Sequence, residues 1–178
     1  FRIERDFCRT TPERHPIENV HEMVIDDRGR LYVLTDHPRN NVIVFDGSGE
    51  VVDAWTLGMR GAHGLTLARI AGEEVRLVTD ANAGRVVETS LGGELRRTLA
   101  TPHELGVYRS YEPYMPTQTA VASNGDVYVA DGYGSQRVLH YRADGRFERY
   151  FGGKGRGPGT LDNAHGIAVD TRPGQSRE

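Results

Sequence analysis

Short runs in which every second residue is apolar dominate this chain. Asp126–Asp131 sets Val127 and Val129 on one side, and Arg146–Phe151 sets Phe147 and Phe151 opposite Glu148 and Tyr150. A period of two marks a half-buried strand, and no window places apolar residues at the i, i+3, i+4 and i+7 positions of a helix face. Turn signals separate the runs: Asp27-Arg28-Gly29, Asp46-Gly47-Ser48-Gly49, Leu91-Gly92-Gly93 and Ala143-Asp144-Gly145. The pattern predicts strands at His21–Asp26, Arg30–Asp36, Asn41–Phe45 and Glu50–Leu57. It predicts four more at His63–Ala68, Glu74–Asp80, Arg85–Thr89 and Glu94–Leu99. A third set follows at Thr117–Ala122, Asp126–Asp131, Arg137–Arg142 and Arg146–Phe151. One further strand is expected at Arg2–Phe7.

The three sets repeat. His21-Glu22-Met23-Val24-Ile25, His63-Gly64-Leu65-Thr66-Leu67, Thr117-Gln118-Thr119-Ala120-Val121 and His165-Gly166-Ile167-Ala168-Val169 align without gaps, and Asp36, Asp80 and Asp131 each close a second strand. Four-stranded units recurring about every 40–55 residues indicate an all-β fold of β-propeller type. A β-sandwich would not repeat its own motifs in this way. The repeats run at about 21–57, 63–100 and 117–151, with a fourth opening at 165, inside a single partial propeller domain spanning 1–178. Three and a half blades do not close a ring, since propellers have about 4–8. Either the natural protein continues past Glu178 or two chains complete one ring; the expectation is the former, with Arg2–Phe7 as the outermost strand of the last blade.

Composition narrows the functional classes. A net charge of −3 gives no support to broad nucleic-acid or anionic-membrane binding, and it argues against an RNA-binding propeller. Arg supplies nearly all positive charge, Lys154 being the single lysine, and Cys8 stands alone, so no disulfide forms within this sequence. No stretch reaches the roughly 20 apolar residues of a membrane-spanning helix. No leader pattern is present, and the compartment is left unassigned.

GDVYVADGYGSQRVLHYRADGRFERYFGGKGRGPG followed by AHGIAVD resembles an NHL-repeat propeller over roughly residues 20–170. Within that class the chain is most similar to peptidyl-α-hydroxyglycine α-amidating lyase and its bacterial relatives. The motifs behind this are Pro116-Thr117 ahead of an Ala-Val strand, Asp131-Gly132-Tyr133 followed by Arg137, and the His-Gly openings at His63 and His165. The resemblance implies six blades around an axial zinc ion held by three His from alternate blades. His63 and His165 fall on two of those positions, and the third falls in a blade outside this sequence. It implies a catalytic Tyr at Tyr133 and a substrate-carboxylate Arg, for which Arg39 is the nearest match. It admits a structural calcium, and a small-molecule or peptide ligand at the axis. The implied reaction cleaves a carbinolamide to a peptide amide and glyoxylate. The chain departs from the family in having Ala62 and Ala164, not Pro, before the two His, and Gly134, not Cys, after Tyr133.

Each of these residues also has a purely architectural reading. The first strand of every propeller blade lines the axis, so His63 and His165 converge there either as zinc ligands or as blade-opening residues bonded to a neighbouring backbone. His21 holds the same repeat position one blade away and is expected to line the axis. Gly132 and Gly134 free the backbone to present the Tyr133 ring, which acts as a general acid or base or else packs over a blade edge. Arg137 is expected to pair with Asp131, and the recurring aspartates to cap turns through backbone N–H groups. Gly152–Gly159 is glycine-rich like a phosphate loop, but a strand follows it, not a helix, so it reads as a crossing between blades. Trp55, Leu57, Phe147 and Phe151 are expected to pack between blades. The competing functions are a metal-dependent lyase working at the axis and a non-catalytic propeller that binds a protein or small ligand.

Overall fold

The computed structural model describes residues 6–170 and 172. It contains twelve strands in three antiparallel four-stranded sheets. Blade 1 comprises β1 (Val20–Ile25), β2 (Leu31–Thr35), β3 (Val42–Phe45) and β4 (Val51–Trp55). Blade 2 comprises β5 (Ala62–Ile70), β6 (Glu73–Asp80), β7 (Arg85–Thr89) and β8 (Leu95–Thr98). Blade 3 comprises β9 (Gln118–Val121), β10 (Val127–Asp131), β11 (Arg137–Tyr141) and β12 (Phe147–Gly152). Within each blade the strands lie in sequence order, and the first strands β1, β5 and β9 pack side by side. The strand expected at Arg2–Phe7 lies largely outside the described residues. Residues 165–169 form no ladder among the described residues, and Ile167 and Val169 line an open groove beside Val138 and Phe151.

Alternation decides which blade face meets which neighbour. In β2 and β3, Tyr32, Leu34, Val42 and Val44 turn toward blade 2, where they meet Leu65, Val78 and Val87. In β6 and β7, Val75, Leu77 and Val86 turn the other way, against Val127, Val129, Leu139 and Tyr141 of blade 3. Both faces of blade 2 are therefore covered, and Val75 through Asp80 are buried without interruption. Cover on both faces removes the difference in burial between alternate positions seen at exposed sheets, so Arg76 and Thr79 are buried along with Val75, Leu77 and Val78.

The segment between blades 2 and 3 is more than a connection. Tyr108 and Tyr114 are buried in the core shared by these blades, and Tyr141 Oη donates to the Ala100 carbonyl at 2.8 Å. Trp55 and Leu57 pack between blades 1 and 2, and Phe147 packs against the core between blades 2 and 3. Phe151 does not follow this expectation: it is 48% exposed on the outer side of blade 3, because no described blade covers that face.

Candidate functional site

The openings of the blades converge at one end of the strands. Register breaks between Val20 and Glu22 in β1, and between Ala62 and Leu65 in β5. Such bulges re-aim a side chain, and here they fall on His21 and His63. The two imidazoles stack with centroids 4.8 Å apart. Gly64 lets the opening of β5 press on blade 3, since a Cβ there would crowd the Thr117 carbonyl oxygen. As a result His63 Nδ1 lies 3.0 Å from that oxygen.

This bond fixes the chemistry of the neighbouring atoms. A carbonyl only accepts, so His63 Nδ1 carries the proton and Nε2 presents a lone pair. Tyr133 Oη lies 3.0 Å from His63 Nε2 and must donate to it. The same oxygen lies 2.8 Å from His165 Nε2, which therefore donates to the phenol. The result is a directed chain: His165 N–H to Tyr133 O, Tyr133 O–H to His63 Nε2, and His63 Nδ1–H to the Thr117 carbonyl. Partial burial holds the His63 imidazole below the ordinary histidine range, and the nearby His21 and His165 act in the same direction. The neutral, accepting form of His63 is thus the one its surroundings favour.

Blade 3 makes room for this arrangement. It places Thr117 where blades 1 and 2 place His21 and His63. The small, fully buried Thr117 leaves the axial position to Tyr133, which arrives from the β10–β11 loop. Neither Gly132 nor Gly134 has a positive φ, so their role is not the backbone freedom expected from sequence. They permit close approach instead: a Cβ on Gly132 would overlap the Ala164 carbonyl oxygen, and one on Gly134 would overlap the Asp131 carboxylate. The left-handed residue of the loop is Gln136, at φ 59°. Its Oε1 accepts from the backbone N–H of Asn163 at 2.6 Å and of Ala164 at 3.3 Å, while Thr117 Oγ1 donates to the Ala164 carbonyl at 2.8 Å. These bonds hold the segment that delivers His165. Gln136 and the Thr117 carbonyl were not legible as site residues, because a glutamine and a main-chain oxygen carry no motif.

Asp131 anchors the same loop. Its carboxylate accepts from Met115 N and Ser135 N, each at 2.7 Å, and from Tyr108 Oη at 3.0 Å. Burial nonetheless pushes the Asp131 carboxyl above its ordinary range. With its oxygens so engaged, Asp131 does not hydrogen-bond Arg137, contrary to the expected pairing. Arg137 instead bonds Glu112 at 2.6 Å and lies over the rings of Tyr108 and Tyr150, at 4.6 and 4.7 Å from their centroids. Asp80 bonds the backbone N–H of Ala83, and Asp36 bonds that of Asn19. Asp36 also lies 3.3 Å from His21 Nε2. Arg39 is exposed in the 36–41 loop, its backbone N–H bonded to His37 Nδ1 at 3.2 Å, and no hydrogen bond or ion pair joins it to Tyr133, His21, His63 or His165.

Two imidazole nitrogens meeting at one point suit part of a three-histidine zinc site, and the carbonyl behind His63 Nδ1 is the outer bond such ligands use. Among the described residues no group of three or more His, Cys, Asp or Glu is gathered to hold a metal ion, so the tripod is incomplete there.

The NHL repeat family matches residues 114–141, the stretch that carries Thr117, Asp131 and Tyr133. No curated protein sequence matches the chain. Among solved structures, a streptogramin B lyase superimposes with a TM-score of 0.61 at 14% identity over 82% of this chain and 43% of its own. Virginiamycin B lyase from Staphylococcus aureus gives 0.56 at 14% identity over 74% and 40%. A protein of unknown function from Bacteroides caccae gives 0.55 at 13% identity over 74% and 48%. The chain thus spans less than half the length of these neighbours, and identities this low speak for the fold alone. With three antiparallel four-stranded units in succession and an NHL repeat at its third blade, the chain has an all-β fold of β-propeller type.

Proposed function

We propose that the axial end of the blades is a lyase-type active site in which Tyr133 and the two flanking histidines move protons. The observation that carries this reading is the phenol oxygen seated between His63 Nε2 and His165 Nε2. Tyr133 passes its proton to His63 Nε2 as its oxygen takes a proton from a substrate hydroxyl. The N–H of His165 stabilises the negative charge that develops on the phenol oxygen. On a carbinolamide the hydroxyl O–H bond breaks, the C–O bond becomes a carbonyl, and the C–N bond breaks with its electron pair on nitrogen. The proton held by His63 returns through Tyr133 to that nitrogen, so the site ends each cycle as it began. A zinc ion held by His63, His165 and a ligand beyond the described residues would take the place of their bonds to the phenol and polarise the substrate oxygen, leaving proton transfer to Tyr133. Arg39 lies on the same end of blade 1 and is proposed to meet the substrate carboxylate.

Support also comes from the neighbours, two of which are named as lyases, and from a histidine-to-alanine variant of the S. aureus enzyme described as catalytically inactive with quinupristin. The test uses the full-length protein, with and without added zinc, on an α-hydroxyglycine-extended peptide and on quinupristin. Cleavage of either is expected, falling about 10²–10⁴-fold in Tyr133→Phe and His63→Ala, the range for loss of a general acid–base group. No cleavage of either compound, or an unimpaired Tyr133→Phe, overturns the reading. A ligand-binding propeller without chemistry, in which the bonds of Tyr133 to His63 and His165 only hold the axial end together, is the second reading.

A further inference from the structure

Away from the axial end, one buried charge among the described residues lacks a counter-charge. Arg76, in the middle of β6, is 3% exposed. The other buried ionisable side chains have firm partners: Asp80 has Arg85, Glu88 has Arg97, His140 has Asp126, and Asp131 accepts three hydrogen bonds. Arg76 makes one hydrogen bond, from Nη1 to the carbonyl of adjacent Val75, and its buried Nε has no acceptor. Its guanidinium lies 4.6 Å from the centroid of Tyr32, a ring that Arg30 also approaches, at 5.6 Å. Two like charges thus share one aromatic face donor, and a ring quadrupole offsets only part of what burying a guanidinium costs.

Arg76 forms part of a groove of about 260 Å³ between blades 1 and 2, at the end of the strands opposite the histidines. Arg28, Arg30 and Arg69 line it as well. The acids along the groove do not answer Arg76. Asp26 is held by Arg30 at 2.7 Å and by the backbone N–H groups of Arg28 and Arg30, and Glu74 is held by Arg69 at 3.1 Å. Asp27 lies exposed. With those pairs cancelled, Arg76 and Arg28 remain against Asp27, in a space with ample room for a small anion.

We propose that this groove binds a small oxyanion, a phosphate or carboxylate group, with the Arg76 guanidinium as its principal contact. A planar, permanently charged fork suits such a group, and a bound anion supplies the counter-charge that Arg76 lacks. The site is independent of the axial cluster and of any reaction there.

The test follows thermal unfolding of the full-length protein with inorganic phosphate and, separately, acetate, each against sodium chloride at matched ionic strength. A saturable rise in Tm with at least one anion is expected, with the better anion defining the class. In Arg76→Met the rise is lost while Tm without anion is unchanged or higher, because an unpaired buried charge has been removed. No saturable rise with either anion, or the same rise in Arg76→Met, overturns the proposal. Should that variant fail to fold, backbone amide shifts in the wild-type protein decide: anion-induced shifts centred on Tyr32, Leu67 and Arg76 support the groove, and shifts elsewhere contradict it.

Discussion

Blades 2 and 3 are built from the same four-stranded unit, yet they end differently at the axis. Blade 2 offers a bulge, a histidine and a short 80–85 turn; blade 3 offers a threonine and a loop that throws a tyrosine over it. Even equivalent residues part company. Arg85 and Arg137 each pair in register with the aspartate that ends the preceding strand. Arg85 forms an ion pair with Asp80 at 3.3 Å, whereas Arg137 turns to Glu112 because the 108–115 segment has claimed Asp131. The scaffold is thus common to both blades, and chemistry enters where one axial side chain and one loop are exchanged.

The sharpest test of this contrast removes the two aspartates in turn. Asp131→Ala strands the N–H groups of Met115 and Ser135 and the Tyr108 hydroxyl, and is expected to lower stability by roughly 3–4 kcal/mol. Asp80→Ala strands one N–H and one partly exposed arginine, for about 1–2 kcal/mol. Denaturant midpoints for the two variants measure the difference, and equal losses would erase the distinction between the blades. Next in size is Gly132→Ala, where the added methyl must displace Ala164. A loss of about 1–3 kcal/mol is expected, together with movement of His165 away from Tyr133 in a crystal structure.

Arg137→Met gives up the Glu112 bond and two aromatic faces, for about 1–2 kcal/mol by chemical denaturation, more than Arg85→Met, whose guanidinium is the more exposed and stacks on no ring among the described residues. The smallest effect is in pH. The folded state holds the His63 imidazole below the ordinary histidine value of about 6.5, so just under that pH the unfolded chain binds more protons than the native one. Stability therefore rises with pH through this window and is lost on acidification. His63→Asn is expected to flatten the slope, read from denaturation midpoints between about pH 5 and pH 7.

Much of the fold was legible in the residues because each blade states its pattern locally: period-two runs, Asp-Gly turns, and a repeated opening. Asp46 shows how directly a turn follows from sequence, its carboxylate accepting from the backbone N–H groups of Ser48 and Glu50. His63, Tyr133 and His165 were legible as candidates through motif and repeat position, and the structure brings these three together. The partners that place them were not. The bonds from Gln136 to Asn163 and from Thr117 to Ala164 cross 27 and 47 residues, and nothing in a strand period reports such pairs. The same limit explains Arg137: sequence register points to Asp131, while the competing Tyr108 and Met115 come from a loop without periodicity. Phe151 reads as a packing residue by pattern, and its exposure depends on which blade covers it.

The central claim is that Tyr133 donates its proton to His63 while accepting one from His165. Nitrogen-15 NMR of the histidine side chains in the full-length protein tests it without a substrate. The account predicts that His63 is protonated at Nδ1, with Nε2 shifted as a hydrogen-bond acceptor, and that Tyr133→Phe returns Nε2 toward an unbonded value. A His63 protonated at Nε2, or an Nε2 signal indifferent to the loss of the phenol, would contradict it.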